Sequence, residues 1–379
     1  MAHFIEDSIL SISYLENDTL YEFSELVENS VWASKPQAWG VVVYSMMIPM
    51  ICSFGIVGNF VILLVLSKKS LKESTYTYLT VLAAADLVTC ILLLFSGLAR
   101  GLFWKKHGWV EFDVFIHIPL CTISSNVAVL AAVGVAIDRL VIVIAPAQCC
   151  QPRFCRKPIA RKLMGFSILF VAVINIPFFF IYTYDERGNI VSNNLSKSCF
   201  YDVLNWFQLV IFGLIPAIFL PISNAIMIFA VKKTMKQRVQ LLKCRQSREG
   251  KYLCDQSKLT ITLVGIVFIF LVGEVPTHLA SRRSAVSILY GGDPCKINKH
   301  LMEVFRIVAT FLNSISCSAN FVLYCVLNPR FLAILKSLFR SKRLERDNTV
   351  SVRMTTLKNI QTNPSSCTKL ESKDCPWKF

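Results

Sequence analysis

The sequence is poor in charged residues for its length. Only 17% of its 379 residues are Asp, Glu, Lys or Arg, whereas 54% are hydrophobic, and the mean hydropathy is +0.53. Soluble domains carry about 25% charged residues, so this composition excludes an ordinary soluble protein and indicates a membrane protein. The formal net charge is nevertheless +16, which keeps nucleic-acid binding open until the basic residues are placed.

The chain also lacks the common signatures of enzymes. It has no metal-binding spacing of His and Cys, no G-x-S-x-G element and no Gly-rich phosphate loop. We therefore expect a protein that is not an enzyme and that needs no cofactor. Residues 1–39 lack the basic start and apolar core of a cleavable signal peptide, so we expect them to remain as an acidic, disordered tail.

Seven apolar runs are long enough to cross a bilayer, which takes about 20 residues in a helix. They are too long for membrane strands and lack strict alternation. The sequence therefore predicts an all-α membrane protein with a seven-transmembrane helix bundle over residues 40–327. The predicted spans cover 41–66, 76–98, 114–145, 163–182, 204–231, 259–280 and 301–327.

Basic residues are concentrated in alternate connecting segments. One set of segments holds 28 basic and 7 acidic residues, and the other holds 10 basic and 13 acidic residues. The positive-inside rule assigns the first set to the cytoplasm, which predicts a multi-pass plasma-membrane protein with an extracellular N-terminus and a cytoplasmic C-terminus. Topology and anionic inner-leaflet lipid then explain the basic excess, so we expect no nucleic-acid partner. The sequons at Asn17 and Asn194 fall on the predicted outer side, where glycosylation is feasible.

Polar residues inside the predicted spans are costly in lipid and are therefore functional candidates. Asn59, Asp86 and Asn320 lie within three different spans and form a candidate intramembrane polar network. For Asp86 the alternatives are a bound sodium ion, a protonated and switchable carboxyl, or a fixed contact between helices. The pair Asp138-Arg139 ends the third span, and an intrahelical ion pair is its simplest explanation.

Six short motifs follow one another along these spans. They are Gly58-Asn59, Ala83-Ala84-Ala85-Asp86-Leu87, Asp138-Arg139-Leu140, Pro216, Phe270 with Pro276, and Asn320-Phe321-Val322-Leu323-Tyr324. Together, over about residues 40 to 340, they resemble the rhodopsin-like (class A) G-protein-coupled receptors. Departures from that pattern, such as Glu274 in place of a Trp and Phe321 in place of a Pro, resemble the FMRFamide-receptor-related branch of neuropeptide receptors.

The resemblance implies a receptor that transmits an extracellular neuropeptide signal, in its narrower form an RFamide-type signal, to a heterotrimeric G protein. Arrestin, receptor kinases and membrane lipid are the further implied partners. Ligand-binding residues are expected in the outer half of the bundle: His117, Cys121, Ser125, Gln208, Glu274, His278, Arg306 and Thr310. G-protein coupling and activation are expected to involve Asp138, Arg139, Asn224 and Tyr324.

Glu274 is the candidate partner for the Arg of an Arg-Phe-amide ligand. The alternatives are a protonated carboxyl or a bond to a neighbouring helix. Retinal and biogenic amines are not expected as ligands, because the positions that match the opsin Lys and the amine-receptor Asp hold Ser314 and Cys121. The acid that often locks the resting Arg in this family is replaced by Gln256, so the resemblance predicts ligand-independent activity.

Further predictions concern a disulfide and the C-terminal region. Val114 replaces the Cys that forms the signature disulfide of the family, and we hypothesise a bridge between Cys199 and Cys295, with two free thiols as the alternative. Residues 328–343 have an apolar face with flanking basic residues, which predicts a short amphipathic membrane-surface helix. Residues 344–379 are predicted to be a disordered cytoplasmic tail.

Three alternatives to a peptide receptor stay open at this point. Buried carboxylates and polar stripes also occur in transporters and channels, although no internal repeat supports that class here. An orphan receptor for a small polar ligand would share the same fold. The departures from the family motifs also keep open a receptor homologue that no longer signals.

Overall fold

A computed structural model of the protein describes residues 37–68, 73–144, 155–243, 247–281, 283–291, 298–328 and 331–338. Within these residues seven helices are long and apolar enough to cross a membrane, which confirms the predicted all-α bundle. The spans α1 to α7 run over Ala38–Leu66, Thr75–Arg100, Trp109–Ile142, Lys157–Phe180, Cys199–Lys233, Thr260–Ser281 and His300–Leu327.

Several helices extend beyond the apolar runs that revealed them. The spans α3, α4 and α5 begin at Trp109, Lys157 and Cys199, five or six residues before their predicted starts. The helix of α5 continues to Lys243, and the helix of α6 begins at Ser247. A hydrophobic run marks only the lipid-embedded part of a helix, since its ends carry polar residues once they leave the hydrocarbon.

Three spans contain a π-helical segment, and each segment is followed by a proline. The segments are Val43–Met47, Phe112–His117 and Leu209–Leu214, and the prolines two residues after them are Pro49, Pro119 and Pro216. Proline has no N–H and its ring crowds the preceding turn, so the hydrogen bonds of that turn rearrange to a wider spacing. The span α4 ends instead in a 3₁₀ turn over Ile176–Phe180.

The helices pack in a closed ring in which α1 contacts both α2 and α7, and α6 contacts both α5 and α7. The span α3 contacts α2, α4 and α5 and is the most buried of the seven. A Cβ at Gly134 would lie 2.6 Å from the Tyr78 ring, so glycine is what allows α3 to approach α2 this closely. Large apolar side chains such as Phe166, Phe229 and Val326 are exposed on the outer faces, as expected for helices that face lipid.

A two-stranded antiparallel hairpin connects α4 to α5. Strand β1 covers Tyr182–Tyr184 and β2 covers Ile190–Ser192, with Thr183 opposite Val191. The Asp185 carboxylate accepts the backbone N–H groups of Arg187 and Asn189, and the Asn189 N–H lowers the pKa of this carboxyl. We call the side of the bundle that carries this hairpin the hairpin end and the opposite side the Arg139 end.

Short helices complete the described chain. A 3₁₀ turn covers Asn194–Lys197, and a helix over Arg283–Leu289 lies between α6 and α7. Residues 331–338 are helical, within the predicted amphipathic segment 328–343, and belong to a separate compact unit. Residues 1–36 and 339–379 lie outside the described residues, so the predictions of two disordered tails are not tested.

Candidate functional site

A cavity of about 210 Å³ opens at the hairpin end of the bundle. Six of the seven spans line it, together with the start of the hairpin, because the side chains of α2 to α7 converge there. Its wall includes six of the eight predicted ligand-binding residues: His117, Cys121, Ser125, His278, Arg306 and Thr310. The periodicity of α3, α6 and α7 therefore brings these six positions into one space.

The other two predicted residues, Gln208 and Glu274, are buried but are not part of the cavity wall. Gln208 donates its side-chain amide to Oδ1 of Asn175 at 3.0 Å, which ties α5 to α4. Glu274 accepts a hydrogen bond from the Ser125 hydroxyl at 2.6 Å, and Nε2 of His278 lies 3.5 Å from the same carboxylate oxygen. For Glu274 the geometry thus matches the alternative of a bond to a neighbouring helix.

A buried ion pair beside the cavity was not predicted from the sequence. Arg100 lines the wall, and its guanidinium lies 2.9 Å from the carboxylate of Asp113, whose side chain is fully buried. Asp113 also accepts from the Ser96 hydroxyl, and Nδ1 of His117 lies 3.1 Å from it. The predicted connection 99–113 was too long at both ends, because α2 runs to Arg100 and α3 begins at Trp109. The spacing of four between Asp113 and His117 is the signal that would have placed Asp113 on α3.

At the Arg139 end, three consecutive residues before and at the start of α2 bind the Asp138-Arg139 pair. Ser74 and Thr75 donate their hydroxyls to the Asp138 carboxylate, the first at 2.6 Å. The Arg139 guanidinium is 1% exposed and lies 2.7 Å from Oε2 of Glu73. Gln256 still leaves the sixth span without the acid that often locks this Arg, but Arg139 has an acidic partner that the sequence did not predict, Glu73 in the α1–α2 connection.

The other two predicted coupling residues are buried on α5 and α7. The side-chain amide of Asn224 donates to the carbonyl of Val264 at 3.4 Å, a contact between α5 and α6. Tyr324 is 2% exposed, near the end of α7 that also carries Leu327. Their roles in coupling stay predictions, since these contacts describe packing only.

The predicted polar network joins three spans. The Asn59 amide donates to the Cys317 carbonyl at 2.9 Å, and the Asn320 amide donates to the Asp86 carboxylate at 2.6 Å. The side-chain carbonyl oxygens of Asn59 and Asn320 are buried and accept no hydrogen bond within the described residues. The bond from Asn320 to Asp86 matches the alternative of a fixed contact between helices. The Asn320 oxygen next to this carboxylate would also suit a hard cation, so the sodium alternative at Asp86 stays open. No group of three or more His, Cys, Asp or Glu that could hold a metal occurs among the described residues.

Two further predictions concern the hairpin end. Asn194 is exposed at the start of a 3₁₀ turn, whereas Asn17 lies outside the described residues. Cys199 is exposed with a free thiol, and its hypothesised partner, Cys295, also lies outside them. Glycosylation and the disulfide both stay predictions.

Comparison with known proteins decides the family. The family model described as "7 transmembrane receptor (rhodopsin family)" matches residues 58–351. The chain belongs to the rhodopsin family of seven-transmembrane receptors. This membership confirms the predicted family of G-protein-coupled receptors and the prediction that the protein is not an enzyme. It also makes the chain a multi-pass membrane protein, and the transporter and channel alternative is set aside.

Three relatives of the receptor have names that describe what they bind or resemble. The sex peptide receptor of Drosophila melanogaster is 22% identical over 347 residues, covering 82% of this chain and 75% of that protein. The sex peptide receptor-related protein 2 of Caenorhabditis elegans is 21% identical over 329 residues, covering 79% and 72%. The FMRFamide receptor of Drosophila melanogaster is 23% identical over 346 residues, covering 86% and 57%.

Proposed function

We propose that the receptor binds an extracellular neuropeptide at the hairpin end and transmits the signal to a heterotrimeric G protein at the Arg139 end. The observation that carries this proposal is the cavity, which collects six predicted ligand-binding residues from α3, α6 and α7. The names of the sex peptide and FMRFamide receptors support a peptide as the ligand class. An RFamide-type peptide is the narrower form of the proposal.

The size of the cavity supports a peptide that inserts one end. A volume of about 210 Å³ lies below the roughly 300–1,000 Å³ of typical small-ligand pockets, so we propose that only one end of the peptide enters the cavity. The rest of the peptide would then contact the hairpin, whose Tyr182 lies on the cavity wall. The extracellular orientation of this end follows from the distribution of basic residues.

The contacts of Glu274 offer a route from the cavity to α6. Ser125 and His278 both line the cavity, and both lie against the Glu274 carboxylate. A ligand that moves Ser125 changes the link between α3 and α6, and one that moves His278 changes the surroundings of the same carboxylate within α6. The span α6 contains Pro276, which permits a bend, so a changed link would move the end of α6 that faces a G protein. Only the difference in ligand affinity between the two arrangements shifts the equilibrium.

At the other end, Arg139, Asn224 and Tyr324 would contact the G protein once α6 has moved. Asp86 with Asn320 and Asn59 would support the rearrangement as an interhelical network that exchanges partners. Arrestin and receptor kinases are proposed partners of the C-terminal tail, and lipid surrounds the bundle.

The test is a calcium and cAMP screen in transfected cells with a neuropeptide library that includes Arg-Phe-amide peptides. We expect at least one peptide to activate cells that carry the receptor, to leave vector-transfected cells silent, and to lose its effect on an Arg139→Gln variant at equal surface abundance. A receptor that is present at the surface but gives no response to any peptide would contradict the proposal. That result would favour an orphan receptor for a small polar ligand or a homologue that no longer signals.

A further inference from the structure

The wall of the hairpin-end cavity carries cationic and imidazole side chains and no carboxylate. Arg100, Arg306, His117 and His278 line it, and no lining residue in the described part of the chain is Asp or Glu. A ligand in this space therefore meets N–H groups from four helices. Guanidinium groups donate up to five hydrogen bonds and accept none, so this wall suits a ligand group that accepts hydrogen bonds.

The nearby carboxylates lie behind this wall. Asp113 is fully buried, 2.9 Å from Arg100, and Glu274 accepts from the Ser125 hydroxyl at 2.6 Å. Glu303, on α7, is half-buried and is not part of the wall. Because Coulomb energy falls with distance, a ligand group in direct contact with a guanidinium interacts with it more strongly than with a carboxylate one side chain further away.

Both guanidinium groups are held in place by hydrogen bonds to other groups of the protein. Asp113 binds Nε of Arg100 at 3.0 Å and its terminal nitrogen at 2.9 Å. Nε of Arg306 donates to the backbone carbonyl of Ala280, on α6, at 3.4 Å. Arg306 is within electrostatic reach of Arg100, which has the same charge, and of Glu303, which offsets part of that repulsion. Two like charges that share one partly buried cavity are stabilised by an anion that enters it.

We propose that the cavity binds a carboxylate of the ligand, with Arg306 as the main donor and Arg100, oriented by Asp113, as the second. The proposal rests on the proposed function only in taking this cavity as the ligand site. It also specifies which part of a peptide enters: an acidic side chain or a free C-terminal carboxylate. This argues against the narrower RFamide form of the proposed function, in which a ligand Arg would pair with Glu274. A ligand guanidinium would face other N–H groups across the cavity and find no acceptor of opposite charge on the wall.

Three small probes of similar shape test this directly: 3-phenylpropanoate, 3-phenylpropanamide and 2-phenylethylguanidinium. Each carries a phenyl ring and a short chain, and they differ in an end group that is anionic, neutral or cationic. Their affinities are measured from the thermal unfolding of the purified full-length receptor in detergent as a function of probe concentration. The variants are Arg306→Gln, Arg306→Lys and a control, Lys197→Gln, which removes one exposed positive charge outside the cavity wall.

We expect the carboxylate to bind the wild-type receptor at least about tenfold more tightly than the amide, and the guanidinium to bind more weakly than both. Arg306→Gln is expected to weaken carboxylate binding about tenfold and to leave amide binding unchanged, whereas Arg306→Lys retains part of the preference. Lys197→Gln is expected to behave like the wild type.

Tighter binding of the guanidinium probe, an equal carboxylate preference in Arg306→Gln, or no stabilisation by any probe would each overturn the proposal. The order of the three probes on the wild-type receptor decides the matter even if a variant does not fold. Because the assay involves no G protein, its result is separate from that of the signalling screen. A receptor that prefers the carboxylate but never signals would overturn the proposed function and leave the carboxylate site standing.

Discussion

Neutralising Glu73 is expected to raise the ligand-independent activity of this receptor. In the structure the Arg139 guanidinium is 1% exposed and lies 2.7 Å from the Glu73 carboxylate, so it is not accessible to a G protein. Any arrangement in which Arg139 reaches a partner must first break this contact. Glu73→Gln keeps the size of the side chain and one carbonyl acceptor but removes the charge, which weakens the contact without opening space.

The magnitude follows from how much of the ion pair is exposed. Removing one partner of a fully buried ion pair costs about 3–5 kcal/mol, whereas an exposed pair is worth about 0.2–1 kcal/mol. The Arg139 side chain is 1% exposed and that of Glu73 is 26% exposed, so this pair lies between the two cases. The Thr75 hydroxyl remains beside the guanidinium, and Gln retains a neutral hydrogen bond. We therefore expect a loss of about 1–2 kcal/mol, which moves the equilibrium about 5- to 30-fold toward the active arrangement.

The assay is basal second-messenger production in transfected cells without ligand, normalised to the amount of receptor at the surface. Wild type is expected near the vector control, because the prediction of ligand-independent activity was based on the missing acid at Gln256, whereas Glu73 supplies an acid to Arg139 from another segment. Glu73→Gln is expected to rise above it, Glu73→Asp to stay near wild type, and Glu186→Gln, an exposed acid of the hairpin turn, to have no effect. Basal activity of Glu73→Gln equal to wild type at matched surface abundance would refute the reasoning.

Three further substitutions test other buried contacts. Asp113→Asn leaves Arg100, whose side chain is 14% exposed, without its counter-ion. We expect a loss below the roughly 3–5 kcal/mol of a fully buried pair, seen as a lower melting temperature of the purified receptor; an unchanged melting temperature would contradict this. Ser125→Ala removes a hydroxyl donor from the buried Glu274 carboxylate, and a loss of about 1–3 kcal/mol in the α3–α6 contact is expected to appear as a changed peptide potency. Asp86→Asn is expected to abolish any stabilisation by NaCl relative to equal KCl, and a difference that persists would exclude a sodium site at this carboxylate.

The spans could be predicted from the sequence because lipid imposes a length and a polarity on any helix that crosses it. The same criterion fails at helix ends, where the residues are polar in both helices and loops. This failure had a consequence at α3. Since the last turn of α2 and the first turns of α3 were taken for a loop, Arg100 and Asp113 were counted among the connecting charges, although they form an ion pair beside the ligand cavity.

Contacts between helices were harder to predict than positions along one helix. The spacings of three and four residues in α3 and α7 correctly grouped residues such as His117 with Cys121, and Arg306 with Thr310, on the cavity side. These spacings contain no information on how one helix is rotated relative to another, because that rotation depends on side-chain packing. Glu73 is an example of a contact that the sequence could not predict. It is 66 residues from Arg139 in the chain, and it lies outside the sixth span, where the family resemblance places the acid.

The strength of the Glu73–Arg139 contact can be compared with the free energy that a ligand must supply to activate the receptor. Moving a two-state receptor from 1% to 99% active takes a difference of about 5.5 kcal/mol in ligand affinity between the two arrangements. Weakening the Glu73–Arg139 contact is worth about 1–2 kcal/mol, which is a minor but measurable part of that difference. The larger part must come from interactions that a ligand makes at the cavity, where Ser125 and His278 connect it to Glu274. Mutations at the two ends are therefore expected to have separable effects: Glu73 sets the basal level, and Arg306 sets ligand potency.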